Sequence, residues 1–250
     1  MRFRDLCYRI YWKLEKAIVP GLQNSQYLYK EILESHVPRG GRWLELGCGH
    51  QILPDWIHAS RETAASLVGK TKLTVGLDPT FESIRTHGTI RERVVAAIEH
   101  SPFRENSFDL VTANMVMEHV QNPTAAISEA SRLLEPGGFF IFHTPNFRNY
   151  QFKLAALVPQ FIKNKIVWLL EGRKEEDVFP TVYAINTAQD IEKYAAQCGF
   201  HVVELKMVNS TAITAVFFPV AIFELIVIRL LQSDSNKDHR SNIIAKLQKV

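Results

Sequence analysis

From Arg42 onward the chain settles into a rhythm in which short apolar runs ending in Gly, Asp or Asn alternate with helical stretches. Runs that are apolar at successive positions belong to strands covered on both faces, so this alternation predicts βα units around a mostly parallel sheet. Strands are expected at Arg42 to Leu46, Leu73 to Leu77, Arg93 to Ile98, Phe108 to Ala113, Phe139 to His143 and His201 to Val208. Between them, Thr124 to Leu134 reads as a helix stopped by Pro136-Gly137-Gly138. Thr187 to Cys198 reads as a helix opened by a Thr cap and closed on Gly199. The expected architecture is α/β and doubly wound.

Two regions depart from the rhythm. Residues 1 to 36 read as two helices separated by Pro20-Gly21, the first with Phe3, Leu6, Ile10, Leu14 and Ala17 on one face and Arg2, Arg9, Lys13 and Lys16 elsewhere. Residues 147 to 180 combine an apolar-and-basic helical stretch with the acidic run Glu175-Glu176-Asp177, which reads as an inserted cap. At 250 residues, 46% hydrophobic, the chain can bury one sizeable core. One domain is therefore expected: N-terminal helices (1–40), a core (41–146), the cap (147–180), a C-terminal part of the sheet with an apolar helix (181–231) and a basic tail (232–250).

The charge balance of +3 gives no basic stripe, so nucleic acid is not the expected partner. Cys7, Cys48 and Cys198 form no CxxC pair, so neither a disulfide framework nor a metal site is expected. Nothing at the N-terminus resembles a secretory signal, and a reducing cytoplasm fits.

The first strand runs into Glu45-Leu46-Gly47-Cys48-Gly49. Glycines at such a strand-to-helix turn let a ligand approach the backbone and the free N–H groups that follow, although a plain structural turn also uses them. The second strand ends in Asp78, where a carboxylate can bind both hydroxyls of a ribose, or cap a helix. A dinucleotide site would need GxGxxG, and Ile52 stands where the third glycine belongs.

Downstream come Ser101-Pro102-Phe103 with Phe108-Asp109-Leu110-Val111, then Met117-Glu118-His119-Val120, then Leu133-Leu134-Glu135-Pro136-Gly137-Gly138. In this order the segments resemble the class I S-adenosylmethionine-dependent methyltransferases of the type 11 group, over residues 40 to 146 above all. The resemblance implies a Rossmann-like methyltransferase fold with an antiparallel last strand, which Thr211 to Phe217 could supply. It also implies that Glu45, Gly47, Cys48 and Gly49 receive the amino acid moiety of S-adenosylmethionine and that Asp78 binds the ribose. Ile98 and Glu99 would border the adenine, and Asn114 would lie beneath the methionine. Gln51 and Ala97 depart from the family pattern, which implies differently arranged binding or, alternatively, a non-catalytic scaffold on the same fold.

Methyl transfer from a sulfonium needs alignment of donor and acceptor more than protein nucleophiles or metals. A base would help if the acceptor is a hydroxyl, and His119 and His143, both at strand ends, are the candidates, each equally able to brace a loop. Thr144-Pro145-Asn146, the stretch Gly49 to Trp56 and Glu175 to Thr181 resemble methyltransferases of bacterial cell-surface glycan synthesis. The leading expectation is thus a hydroxyl of a glycan or lipid-linked intermediate, and the alternative is a small lipophilic, quinone-like acceptor. Ala212 to Leu231 is apolar but interrupted by Pro219, Glu224 and Arg229, so it is not expected to span a bilayer. It packs on the sheet or a subunit, or lies with the basic and aromatic first helix in the interface at the inner face of a membrane.

Overall fold

A computed structural model of the chain describes residues 3–150, 180–211 and 218–250. Helices α1 (Phe3–Ile18) and α2 (Ser25–His36) precede the sheet. There follow β1 (Arg42–Leu46), α3 (Ser60–Lys70), β2 (Leu73–Asp78), α4 (Phe81–Arg85), β3 (Glu92–Val95), β4 (Phe108–Asn114), α5 (Pro123–Leu133) and β5 (Leu134–Pro145). Beyond the cap region come α6 (Ala188–Gln197), β6 (Phe200–Val208), α7 (Phe218–Leu231) and β7 (Asn242–Lys249). The seven strands form one sheet in the order β3-β2-β1-β4-β5-β7-β6, in which β7 alone runs antiparallel to its neighbours.

The apolar runs are continuous because both sheet faces are covered. Leu44, Leu46, Val111 and Phe140 point into one core cluster, which α5 and α6 close with Ala126, Ile127, Ala130, Ile191 and Ala195. Their neighbours Trp43, Leu110 and Ile141 point into the other, closed by Tyr29 and Leu33 of α2 and Leu67 of α3. Local chemistry sets the helix ends: α6 opens and closes as read, whereas α5 gives way at Leu134 to β5, so Pro136-Gly137-Gly138 lies within that strand instead of stopping the helix. The Asn122 side chain accepts from Ala125 N ahead of Pro123, Thr187 accepts from Asp190 N, and Gly199 takes φ +75° after α6.

Two strand assignments differ from expectation. β3 stops at Val95 because β2, its ladder partner among the described residues, ends there, with Val95 opposite Asp78; Ile98–His100 then form a single 3-10 turn. The antiparallel strand is β7, from the segment expected as a basic tail: Ile243, Ile244, Ala245 and Leu247 are buried between β5 and β6. Lys249 sits at the strand end, donating to Asn106 Oδ1 and Leu134 O at 2.8 and 2.7 Å. Residues 212–217, most of the segment expected to supply that strand, lie outside the described residues, as do residues 151–179 of the expected cap. Helix α7 packs Ala221, Leu225 and Ile228 on Tyr11 and Val19 of the α1 region, forming a third, smaller cluster.

Candidate functional site

The turn after β1 is held by two glycines in the left-handed region, Gly47 at φ +59° and Gly49 at φ +52°. They do different jobs. A Cβ on Gly47 would stand 2.4 Å from Val116 Cγ2, whereas a Cβ on Gly49 would meet nothing within 4 Å. Gly47 is thus required by packing, and Gly49 opens onto free space. Asp78, at the end of β2 and 7% exposed, ties the neighbouring strand end to this turn. Its Oδ2 accepts from Gly49 N at 3.1 Å and its Oδ1 from Thr80 N at 2.8 Å, leaving two of the carboxylate's lone-pair positions unused by these bonds.

Beneath the turn the polar groups are dry. Thr112 of β4 donates to Glu45 Oε2 and accepts from Trp43 Nε1 at 2.6 Å. Burial pushes the Glu45 carboxyl up to about 8, so it is largely protonated near neutral pH. Burial, followed by the nearby Glu45 and Asp78 carboxyls, pushes the Cys48 thiol up to about 12, so it is no nucleophile. Its Sγ fills the space left by Gly76, where a Cβ would come within 2.6 Å.

Asn114, at the end of β4, is clasped by Gln26 in the first turn of α2: Gln26 Nε2 donates to Asn114 Oδ1 at 3.1 Å, and Asn114 Nδ2 donates to Gln26 Oε1 at 3.0 Å. The same Oδ1 lies 3.0 Å from His143 Nδ1. An amide oxygen only accepts, so His143 carries its proton on Nδ1. The His143 ring is 1% exposed, stacked on Tyr29 at 5.6 Å and 27°, and burial lowers its pKa to about 3.

Ile98 and Glu99 are brought beside the acid through Ala96 N, which donates to Asp78 O at 3.2 Å. Ile98 is buried and Glu99 half-buried in the 3-10 turn. His119 lies in the 3-10 turn Met117–His119 that follows β4, half-buried, with Nδ1 3.1 Å from Pro180 O. The preceding residue anchors this corner. Glu118 O accepts from Val182 N and Tyr183 N, while its carboxylate, whose pKa burial raises, accepts from Thr144 Oγ1 at 3.1 Å. Asn186 in turn donates to Thr144 Oγ1 at 2.6 Å.

The fold therefore gathers Glu45, Gly47, Cys48, Gly49, Asp78, Ile98, Glu99, Asn114, His119 and His143 along the carboxyl edge of β1, β2, β4 and β5, where open α/β sheets take their ligands. Gln26 and Tyr29 were not legible in the sequence; a polar residue and an aromatic on a helix carry no strand-end signature. Gln51 is not aimed into this edge: with its amide nitrogen toward the acid it donates to Asp55 Oδ1 at 2.9 Å. A cavity of about 560 Å³ beside Gln51 and Arg61 has neither Asp78 nor Asn114 in its wall. Among the described residues no group of three His, Cys, Asp or Glu is placed to hold a metal ion.

Residues 23–205 match a family described as a methyltransferase domain. The chain is 31% identical over 173 residues to the ubiquinone biosynthesis O-methyltransferase of Vibrio atlanticus, a match covering 64% of this chain and 70% of that protein. It is 32% identical over 164 residues to the protein of the same name from Paracidovorax citrulli, covering 64% and 67%. An S-adenosylmethionine-dependent methyltransferase structure from Methanosarcina mazei aligns over 88% of this chain and 97% of that chain, with a TM-score of 0.55 at 16% identity.

Proposed function

The chain belongs to the methyltransferase-domain family and is an S-adenosylmethionine-dependent enzyme, and from that premise we propose that it methylates a hydroxyl of a small lipophilic, quinone-like acceptor. The observation that carries the acceptor class is the likeness to O-methyltransferases of ubiquinone biosynthesis at 31% and 32% identity. Two of the residues that suggested a glycan have structural employment. Thr144 serves the Glu118 and Asn186 bonds, and Asn146 Nδ2 ties β5 to the β7 entry through Asp238 O and Arg240 O at 2.8 and 2.7 Å.

The site fits the cofactor. Gly49 faces open space where a side chain would intrude, and Asp78 keeps lone pairs for a pair of hydroxyls. In this reading Glu45, Gly47, Cys48 and Gly49 form the cradle for the amino acid portion, with Glu45 acting from below as a neutral support. Asp78 takes the ribose, Ile98 and Glu99 border the adenine, and Asn114 lies under the methionine. Bound there, the cofactor supplies an electrophilic methyl group on a sulfonium.

What the chain itself contributes is alignment and proton handling. His143 is a positioning residue: sealed behind Tyr29, it holds the Asn114 amide through Nδ1–H. His119 is the base. Its Nδ1–H donates to Pro180 O, which makes Nε2 the basic nitrogen for the acceptor's proton. The N-terminal helices, core and C-terminal strands act as one domain, since α2 supplies Gln26 to the site and β7 completes the sheet.

The test is methyl transfer from labelled S-adenosylmethionine to a catechol-type quinone precursor and, separately, to lipid-linked sugars. Product from the phenolic acceptor alone is expected, with Asp78→Ala weakening cofactor binding and His119→Ala lowering kcat by roughly a hundredfold. Transfer to the sugars and not to the phenol would overturn the acceptor while leaving the cofactor site intact.

A further inference from the structure

Two bulky residues beside the His119 turn hold backbone conformations that their side chains disfavour. Met115, directly after β4, has φ +57°, and Tyr183 has φ +54°. Glycine takes up that region without strain, whereas a Cβ crowds it. Strained non-glycine residues of this kind gather at functional sites, where the side chain is wanted in spite of its backbone. Main-chain bonds hold both residues in place. Met115 N donates to His143 O at 2.8 Å and leads into the Met117–His119 turn, while Tyr183 N donates to Glu118 O of that turn at 3.1 Å.

Neither side chain is buried by the fold. Met115 is 37% exposed, and the half-buried Tyr183 ring leans on Phe147, itself 50% exposed, with centroids 5.6 Å apart and planes at 31°. Phe147 lies just past β5, where its N–H donates to Asn186 O at 2.8 Å. Val182, whose N–H donates to the same Glu118 carbonyl as Tyr183, is exposed as well. The carboxyl ends of β4 and β5 thus carry thioether, aryl and aliphatic groups around the turn that bears His119, with the Tyr183 hydroxyl as the polar atom among these four side chains.

That chemistry discriminates between ligands. A hydroxyl-rich acceptor gives up hydrogen bonds to water that such side chains do not replace. A flat aromatic ring instead gains by offset stacking on the Phe147–Tyr183 pair and by contact with the Met115 sulfur. We propose that Met115, Phe147 and Tyr183 form the wall of the acceptor site, binding a flat aromatic ring and presenting its hydroxyl to His119. The inference rests on the phenolic acceptor proposed above and adds the residues that select it.

Steady-state methyl transfer by the full chain to a catechol-type phenol tests it. Phe147→Ala should raise the acceptor KM roughly tenfold, with kcat within about threefold of wild type and affinity for S-adenosylhomocysteine unchanged. Phe147→Leu keeps apolar bulk without a flat face and should fall between the two. Tyr183→Gly and Met115→Gly separate recognition from folding: glycine relieves the strained φ, so the thermal midpoint should hold while the acceptor KM rises. The split is the reverse of that for His119→Ala, where kcat falls. Unchanged acceptor KM in Phe147→Ala and Tyr183→Gly, with wild type methylating the phenol, would overturn the wall and leave the acceptor reading standing. So would a rise in acceptor KM matched by an equal loss of S-adenosylhomocysteine affinity, the mark of a damaged fold. Wild type methylating lipid-linked sugars and not the phenol would overturn both.

Discussion

The two edges of the same sheet treat charge in opposite ways. At the amino edge, Arg42 opens β1, with Asp109 at the start of β4 and Glu135 at the start of β5. Arg42 Nη2 meets Glu135 Oε1 at 2.7 Å, Asp109 Oδ2 accepts from Arg42 N at 2.7 Å, and all three side chains are at least a third exposed. At the carboxyl edge, a few residues along the same strands, Glu45, Glu118 and His143 are at most 4% exposed. Glu45 and Glu118 accept from neutral donors, His143 Nδ1 donates to a neutral acceptor while its Nε2 is buried without a partner, and burial shifts all three toward their uncharged forms. Solvent-exposed ion pairs hold the amino edge. The edge proposed to receive the cofactor carries dry, preorganised polar groups instead, which cost stability at any pH where their free forms would be ionised.

The largest effect that would sharpen this contrast is in the pH dependence of unfolding. Glu45 titrates at about 8 when folded against 4.5 ordinarily. Below 4.5 both states are protonated. Between 4.5 and 8 the unfolded chain gives up a proton that the folded chain keeps, so stability falls with rising pH, by at most roughly 5 kcal/mol. His143, lowered from 6.5 to about 3, works in the other direction: from 6.5 downward the unfolded chain takes a proton that the folded chain refuses, and stability falls with falling pH. Urea denaturation across this range should show Glu45→Gln flattening the alkaline arm and His143→Gln the acid arm. Identical slopes in wild type and variants would mean that the carboxyl edge is no drier than the amino edge.

A second test separates packing from binding within the carboxyl edge. Gly47→Ala forces a Cβ into Val116 at a positive φ and should cost about 3 kcal/mol of stability. Gly49→Ala faces open space and should cost only about 1 kcal/mol, from its left-handed backbone, while abolishing cofactor binding measured by calorimetry. Equal stability losses for the two would remove the distinction drawn between them.

The sequence made the βα rhythm readable because strands buried on both faces must be apolar at successive positions, as Trp43-Leu44 and Leu110-Val111 are. The place of Asp78 at the strand end was readable because it closes an apolar run, while its use, as a helix cap or as a ligand for a ribose, stayed open in the sequence. β7 was not readable, since Lys246 and Lys249 break its apolar pattern and only the tertiary partners Glu204 and Leu134 O explain how those charges are accommodated. The burial of His143 was equally hidden. A histidine ending a strand looks like a residue at a site mouth, and only the docking of Tyr29 from a helix more than a hundred residues upstream seals it.

The smallest expected effect lies at the amino edge and bears most directly on the contrast. Arg42 bridges two acids, but in geometry open to solvent, where the attraction is screened and the side-chain ordering offsets much of it. Arg42→Ala should therefore lower stability by less than about 1 kcal/mol, and the difference should shrink further as salt is added. Glu135→Gln should do the same, because Asp109 remains to accept the Arg42 N–H through the main chain. A loss above about 2 kcal/mol, insensitive to salt, would mean that the Arg42 network is shielded like the groups under Gly47. The two edges would then differ in which groups they carry but not in how strongly the fold depends on them.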